Sequence, residues 1–447
     1  MRHIVKEKND LTTGNIKKTL LIFVLPYLLS CFMQTFYGMA DLFVVGLYND
    51  VSTTTAVSIG SQVMHMLTVI IVGLAMGTTV WIGSFVGAKD EQGVKKTIGT
   101  SAIFFAVFAV IITALLLVLT PYITGIMMTP KEAVRETRIY LAVCFAGIPF
   151  ITAYNVISSI FRGMGDSKRP MYFVVVACGA NVVLDFVFIG GMGLGAAGAA
   201  LATVCGQALS VAVSAIVMKR NKLGIEMTSK DFRLHKGFVS HIMKVGIPVA
   251  MQDGFIQVAF IVITVIANSR GLIASTGVGI VEKLISFMFL VPSAFLSAIS
   301  AVTAQNLGAG KPQRAKSALR YGLVITVIWG LMCFAYNQFL PDTLIGLFTE
   351  NKEVLSAGCE YMRAYSMDCV FAAVHFCFSG YFCGLRKSGI SFLHNIVSII
   401  LVRIPAAYLA SIHFPHTLYP MGLAAPLGSL LSAIICVGFY VYLQNGN

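Results

Sequence analysis

Five acidic residues lie inside long apolar stretches of this sequence, and they are the first place to look for chemistry. They are Asp41, Asp185, Asp253, Glu282 and Asp368, out of 19 acids in all. A charged side chain inside the hydrocarbon of a membrane is costly, so each such acid is a candidate functional group. Carboxylate oxygens bind protons and hard cations such as Na⁺, which defines the chemistry expected here.

Asp41 ends a polar stripe in the first apolar stretch. Gln34, Tyr37 and Asp41 recur at positions i, i+3 and i+7, so they share one face of a helix. At about 1.5 Å per residue, Asp41 lies roughly 34 Å along the helix from Lys18. We therefore expect the Asp41 carboxylate in the outer half of the bilayer.

Asn181 and Asp185 form a second polar pair, four residues apart on one helix face. The same counting places Asp185 in the outer half of the bilayer, where Asn155 and Thr203 of neighbouring stretches can also reach. Carboxylate, amide and hydroxyl oxygens suit either Na⁺ or protons, and either ion would relieve the repulsion between Asp41 and Asp185. The sequence therefore predicts a cation-coupling site, with an oxygen ligand set for Na⁺ made of Asp41, Asn181, Asp185 and Thr203. The alternative is that each carboxylate is a hydrogen-bonded structural group.

The second half of the chain carries three further acids within apolar stretches. Asp368 is predicted in the outer half of the bilayer, where a second cation site is possible. Glu282 precedes Lys283 directly, and neighbours in sequence point in different directions on a helix, so they do not form a simple pair. For Glu282 and Asp253 the alternative is a local structural partner, which for Glu282 includes a basic residue such as Arg403.

The composition identifies the apolar stretches as membrane spans. Charged residues make up 11% of the 447 residues, against about 25% in ordinary soluble domains. Apolar residues make up 57%. These values exclude a soluble enzyme, a disordered chain and a fibrous protein, and they predict an all-α integral membrane protein. The ten cysteines show no metal-binding or redox spacing and are predicted to be reduced packing residues.

The apolar pattern predicts twelve transmembrane helices. Their approximate limits are 19–47, 56–83, 98–122, 138–161, 171–190, 195–218, 245–268, 272–303, 317–340, 358–383, 390–412 and 419–443. With the N-terminus inside, the inner segments hold 24 Lys and Arg and the outer segments hold 6, while Lys283 and Arg403 remain in spans. This asymmetry predicts a multi-pass protein of the cell (inner or plasma) membrane with both termini cytoplasmic.

The chain repeats itself at an offset of 221 residues. This offset predicts two six-helix bundles of the same orientation, an N-lobe at 1–218 and a C-lobe at 245–447, joined by a cytoplasmic linker at 219–244. A cleft between two such lobes would open to alternate sides of the membrane, which is the architecture of a transporter. The offset aligns Gly87-Ala88 with Gly308-Ala309, Lys131-Glu132 with Lys352-Glu353, Tyr140 with Tyr361, and Phe161 and Gly163 with Phe382 and Gly384.

The motifs found along the chain resemble those of the multidrug and toxic compound extrusion (MATE) family, over about residues 14–443. Within that family, Tyr37, Asp41, Asn155, Asn181, Asp185 and Thr203 look like the N-lobe set of the DinF-type branch. The motifs are Leu25-Pro26, Gln34, Tyr37-x-x-x-Asp41, Gly87-Ala88-Lys89, Phe161–Asp166, Asn181-x-x-x-Asp185 and Gln305–Ala309.

The resemblance implies a MATE or MOP-flippase-type fold and a cation-coupled antiporter that exports drugs. It also implies that Asp41 is the essential coupling acid. The chain departs from the NorM-type branch, which has a glutamate within the seventh span where this chain has Ile256 and Gln257. We assign Pro26 as a hinge in the first helix. The residues assigned to substrate binding or the cavity are Tyr37, Gln34, Asn155, Tyr140, Glu282 and Asp368.

The predicted function is export of lipophilic, cationic compounds, driven by H⁺ or Na⁺. The alternative is a flippase for an amphiphilic lipid-linked or polysaccharide precursor, which would favour a basic cleft for phosphate. No convincing catalytic constellation lies in the spans, so an enzyme is not expected. Expected partners are the small-molecule substrate and membrane lipids, with no nucleic acid, no cofactor beyond the coupling ion, and a monomer as the working unit.

Overall fold

The structure is a computed structural model that describes residues 10–220, 225 and 227–445. Arg2, Lys6 and Lys8, which entered the charge count, lie outside the described residues, as does part of the predicted linker 219–244. Within the described ranges the chain is helical, with no β-strand. The prediction of an all-α membrane protein is therefore confirmed.

The described chain contains ten single helices that are long and apolar enough to cross a membrane, and two bent pairs that complete twelve spans. The fourth and tenth spans are the bent pairs, with bends of 47° and 44°. In the first half the spans are Ile16–Tyr48, Val51–Gly87, Glu91–Ile126, Val134–Ala146 with Ile148–Gly163, Lys168–Gly191 and Gly195–Arg220. In the second half they are Lys236–Asn268, Leu272–Gly308, Pro312–Phe339, Lys352–Tyr365 with Asp368–Gly384, Ser388–His413 and Tyr419–Asn445.

Many large apolar side chains of the spans are exposed on the surface of the protein. Val118 is 72% exposed and Leu401 is 67% exposed, and each lies within a span. Apolar surface of this kind is stable against lipid and unstable against water. The exposure pattern therefore agrees with a multi-pass membrane protein.

The second and third spans each begin after an aspartate whose side chain accepts a hydrogen bond from a backbone N–H group of the first helical turn. Asp50 Oδ1 accepts from the Thr53 N–H at 2.9 Å and Asp90 Oδ1 accepts from the Gly93 N–H at 2.9 Å. These are N-caps of the second and third spans. The hydroxyl and N–H of Thr53 hold the pKa of Asp50, which lies between spans, below its usual value.

The internal repeat is reproduced in the backbone of two turns. Lys89 and Gly310, which are 221 residues apart, both have a positive φ, of 58° and 68°. Gly165 and Arg386 form the second such pair, with φ of 86° and 62°. In each pair the same left-handed turn ends a helix, although the residue is glycine in one repeat and basic in the other.

Close helix packing also follows the repeat. A Cβ added to Gly163 would lie 2.8 Å from the Thr79 carbonyl oxygen, and one added to Gly384 would lie 2.8 Å from the Ser300 carbonyl oxygen. Both glycines therefore let two helices of one half approach at the backbone.

The chain divides into two compact units. Unit 1 consists mainly of Ile22–Gly246 and unit 2 mainly of Ile247–Leu307 and Lys311–Asn447. Unit 1 has a core that includes Val45, Leu141 and Phe145. Unit 2 has a core of its own, which includes Tyr361 and Tyr365.

The seventh span begins at Lys236, earlier than the predicted start at 245 and inside the segment predicted as linker. Contacts within unit 1 explain the difference. The ring of His241 stacks on Trp81 with centroids 4.1 Å apart, and Phe238 packs against Phe85. The Trp81 indole N–H donates to the His241 carbonyl at 2.8 Å. These contacts stabilise a helical turn that a search for apolar residues does not detect.

Candidate functional site

Two carboxylates meet inside unit 1. Asp41 of the first span and Asp185 of the fifth are both buried, and the side chains of Asp185 and Asn181 adjoin the Asp41 carboxyl group. Thr203 of the sixth span donates its hydroxyl to Asp41 Oδ2 at 3.2 Å. The structure thus brings the four residues predicted as the cation-coupling site into one cluster, which we call the unit 1 acid pair site.

Local features of the fifth and sixth spans position this cluster. Asp185 is the last residue of an α-helix and is followed by a π-helical turn, Phe186–Gly191. Gly206 of the sixth span has no side chain to hold the helices apart, because a Cβ there would lie 3.0 Å from the Ala177 carbonyl oxygen. This close approach brings Thr203 to the polar face that carries Asn181 and Asp185.

The unit 1 acid pair site holds more acceptors than donors. Asp41 Oδ1, both oxygens of Asp185 and both side-chain polar atoms of Asn181 are buried without a hydrogen-bond partner in the described part of the chain. None of the described groups that act on the two carboxyls is a lysine or an arginine. Buried polar atoms are normally paired, and buried charges are normally balanced. This oxygen cluster therefore has the donor set for a proton or for Na⁺.

The remaining predicted residues of unit 1 lie around this cluster with separate contacts. Tyr37 faces Gln207 and Asp41, and Tyr140 shares a hydrogen bond of 3.0 Å with the Ser61 hydroxyl. Asn155 is engaged locally, because its amide donates to the Ile151 carbonyl at 2.8 Å.

Two further points concern single residues of unit 1. Gln34 is half-buried in the first span. The first helix continues through Pro26 without a break.

Gln207, which lies beside Tyr37, is not among the site residues predicted from the sequence. Its position four residues after Thr203 places it on the same helix face and could have indicated it.

Unit 2 arranges its acids differently, because a buried arginine lies among them. Asp368 and Arg403 both line a cavity of about 40 Å³. Arg403 Nη2 donates to the Tyr365 hydroxyl at 2.5 Å, and its guanidinium lies 5.0 Å from the centre of the Phe260 ring. We call Asp368, Glu282 and Arg403 the unit 2 charge cluster.

The two other acids predicted within the spans of unit 2, Glu282 and Asp253, differ from Asp368 in their surroundings. Glu282 Oε2 accepts from the Thr264 hydroxyl at 3.1 Å, and Glu282 lies within electrostatic reach of Arg403. Asp253 is half-buried in the seventh span. Glu282 thus lies near Arg403, the basic residue named as its possible structural partner.

The family model described as MatE matches residues 26–187 and again residues 248–409. The two matches together cover more than half of the chain. The chain belongs to the MatE family. It is thus a multi-pass membrane protein of a family of multidrug efflux transporters.

Two relatives cover most of the length of this MatE protein. "Probable multidrug resistance protein YoeA" of Bacillus subtilis (strain 168) is 23% identical over 438 residues, which are 96% of this chain and 94% of the relative. "Multidrug export protein MepA" of Staphylococcus aureus (strain NCTC 8325 / PS 47) is 22% identical over 363 residues, 81% of this chain and 80% of the relative. Both relatives are named for multidrug resistance or multidrug export.

A solved structure confirms the fold of this MatE protein. It is described as the outward-facing conformation of a multidrug resistance MATE family transporter of the MOP superfamily. The similarity has a TM-score of 0.91 at 23% identity and covers 99% of this chain and 98% of the other. The predicted MATE or MOP-flippase-type fold is therefore confirmed.

Proposed function

We propose that this MatE protein is a cation-coupled antiporter that exports lipophilic, cationic compounds by alternating access. The coupling ion is H⁺ or Na⁺, and it binds at the unit 1 acid pair site. The observation that carries the proposal is that Asp41 and Asp185 adjoin each other in a buried site without a lysine or arginine acting on them in the described chain.

Coupling follows from the charge of this site. Two adjacent buried carboxylates repel each other, so the packing of the first, fifth and sixth spans depends on whether a cation is bound. A ligand shifts a conformational equilibrium only when it binds the two states with different affinity. We propose that the cation and the drug favour different states of unit 1, so that entry of one drives exit of the other.

The substrate class is proposed from the charges of the spans. Five acids and two basic residues, Lys283 and Arg403, lie in the apolar stretches of the predicted spans, and the other charged residues within the span limits lie near the span ends. An acidic, apolar environment favours a lipophilic cation over an anion. The name of the relative MepA, a multidrug export protein, supports export as the direction of transport.

The remaining assignments complete the proposal. The protein is placed in the cell membrane with both termini cytoplasmic, because the basic residues sort to one side of the predicted spans. It belongs to the DinF-type branch, works as a monomer, and has the substrate and membrane lipids as its partners. Besides the coupling ion it uses no cofactor, and it is not an enzyme.

Transport into and out of proteoliposomes tests the proposal. Efflux of a fluorescent lipophilic cation is measured under a pH gradient and, separately, under a Na⁺ gradient. We expect one of the gradients to drive efflux by the native protein and neither to drive efflux by Asp41→Asn. Asp50→Asn is the matched control, because Asp50 lies between spans and asparagine preserves its N-cap. Gradient-driven efflux by Asp41→Asn at the native rate would overturn the mechanism.

A further inference from the structure

The unit 2 charge cluster has a property that the unit 1 acid pair site does not share. Arg403 is 8% exposed and Asp368 is fully buried, so both charges are withdrawn from water. Arg403 is within electrostatic reach of Asp368 and Glu282. A buried charge requires a counter-charge. In unit 2 the counter-charge for the buried carboxylates is the side chain of Arg403, which is part of the protein itself.

Several contacts fix the guanidinium of Arg403 in this position. Arg403 ends a π-helical turn, Ile399–Arg403, and its Nη2 donates to the Tyr365 hydroxyl. The face of Phe260 lies against its charge at 5.0 Å, which stabilises a cation further. On the other side, the twelfth span approaches closely at Gly428, where a Cβ would lie 3.2 Å from the Arg403 Cβ.

The arginine balances Asp368 without contacting it directly. In the described part of the chain, neither oxygen of Asp368 has a hydrogen-bond donor, and Arg403 Nε has no acceptor. Both residues line the same cavity of about 40 Å³, together with His375, which is a further titratable group, and with Asn395, Ser398 and Ser429. The rest of the lining is mostly apolar, and a cavity of this size with several polar groups has room for water or for a small ion. The cavity therefore has the volume and the oxygen atoms of a cation site, but it also contains a fixed positive charge.

We propose that Arg403 acts as a tethered counter-cation that prevents unit 2 from binding a coupling ion, so that coupling is confined to unit 1. Arg403 is thus a residue that determines the number of cations bound, and its removal opens a cation site at Asp368. This inference rests on the proposed function for its role in transport, whereas its binding prediction can be tested without transport.

The experiment measures cation binding directly in full-length protein whose unit 1 site is silenced by Asp41→Asn and Asp185→Asn. ²²Na⁺ binding is measured by scintillation proximity, and proton uptake is measured with a pH dye after a small acid pulse. We expect no saturable binding of either ion in the silenced protein. Adding Arg403→Gln is expected to create a saturable site for at least one of the two ions.

Two further variants identify the origin of any new site. Arg403→Lys keeps the positive charge and is expected to show no new site. Arg403→Gln combined with Asp368→Asn removes both charges and is expected to lose the site that Arg403→Gln created. Saturable binding in the silenced protein with Arg403 intact would overturn the proposal, and so would folded Arg403→Gln protein that binds neither ion.

Thermal unfolding in detergent supplies a second measurement in case Arg403→Gln folds poorly. We expect Asp368→Asn to lower the Tm when Arg403 is present and to raise it when Arg403 is replaced by glutamine. Additive effects of the two substitutions would contradict a counter-charge role. These readouts do not depend on drug transport, so failure of the antiport proposal at Asp41 is distinguishable from failure of this one.

Discussion

The two halves of this protein follow one helical plan but balance their buried acids in opposite ways. In unit 1, Asp41 and Asp185 adjoin each other, and no lysine or arginine acts on them within the described chain. In unit 2, Asp368 and Glu282 lie within reach of Arg403. A repeat therefore preserves the fold while the charge balance diverges, and we propose that unit 1, which lacks an internal counter-cation, binds one from solution.

The largest expected effect is on gradient-driven efflux, and it distinguishes Asp41 of unit 1 from Asp368 of unit 2. Asp41→Asn is expected to abolish gradient-driven efflux, because it removes one of the two carboxylates that a cation neutralises. Asp368→Asn is expected to leave the dependence of efflux on the driving ion unchanged, even if the rate falls. Efflux from proteoliposomes at a series of ion gradients gives both results. An altered ion dependence in Asp368→Asn would show that the two units do not differ as described.

The next effect concerns stability. Arg403→Gln is expected to destabilise the protein by roughly 3–5 kcal/mol, because it leaves buried carboxylates without their counter-charge. Unfolding in detergent, followed by circular dichroism against denaturant, measures the change. Arg403→Gln with Asp368→Asn is expected to recover part of the loss. A double variant less stable than Arg403→Gln alone would contradict electrostatic balance.

The next prediction concerns close helix packing, in which the two halves are alike. Gly163→Ala and Gly384→Ala are each expected to cost about 1–3 kcal/mol, because the added methyl group meets a backbone carbonyl at 2.8 Å in both halves. Gly179→Ala and Gly438→Ala are the controls, since a Cβ at either position meets nothing within 4 Å. Costs that differ strongly between Gly163 and Gly384 would mean that the repeat is not preserved in packing.

A smaller effect refines the description of the unit 1 acid pair site. Thr203→Val removes the hydroxyl that donates to Asp41 Oδ2, and we expect the affinity for the coupling ion to change by about 1 kcal/mol. Thr203→Ser keeps the hydroxyl and is expected to behave like the native protein. The ion concentration that gives half-maximal efflux measures both. Identical values for valine and serine would exclude the Thr203 hydroxyl from the site.

The smallest effect compares the paired turns. Lys89→Gly and Arg386→Gly are each expected to stabilise the protein by roughly 0.5–1 kcal/mol, since glycine adopts a positive φ without strain. Gly310→Ala and Gly165→Ala are expected to destabilise it by a similar amount. Thermal unfolding of the four variants checks the signs, and a common sign for all four would contradict the equivalence of the turns.

The sequence was sufficient to predict the twelve spans and the repeat, because both depend on apolar runs and on a fixed offset. The proximity of Asp41, Asn181, Asp185 and Thr203 could also be predicted, because helix periodicity and depth along a span follow from counting residues.

The sequence was insufficient where tertiary contacts decide the outcome. The start of the seventh span at Lys236 depends on Trp81, which is distant in sequence. The local hydrogen bond of Asn155 and the position of Arg403 beside Asp368 depend on rotamers and on a π-helical turn, and neither leaves a periodic signal.

The left-handed turns at Lys89 and Arg386 also affect how the chain enters the membrane. Positive charge in short loops is the signal that orients helices during insertion. At these two turns glycine would adopt the positive φ with less strain, and glycine is the residue at the equivalent positions of the other repeat, Gly310 and Gly165. Each half therefore combines one glycine turn with one turn in which a basic residue adopts a positive φ. On the predicted topology both basic residues lie on the inner side, so they add to the orienting charge at the expense of a small strain in the folded protein.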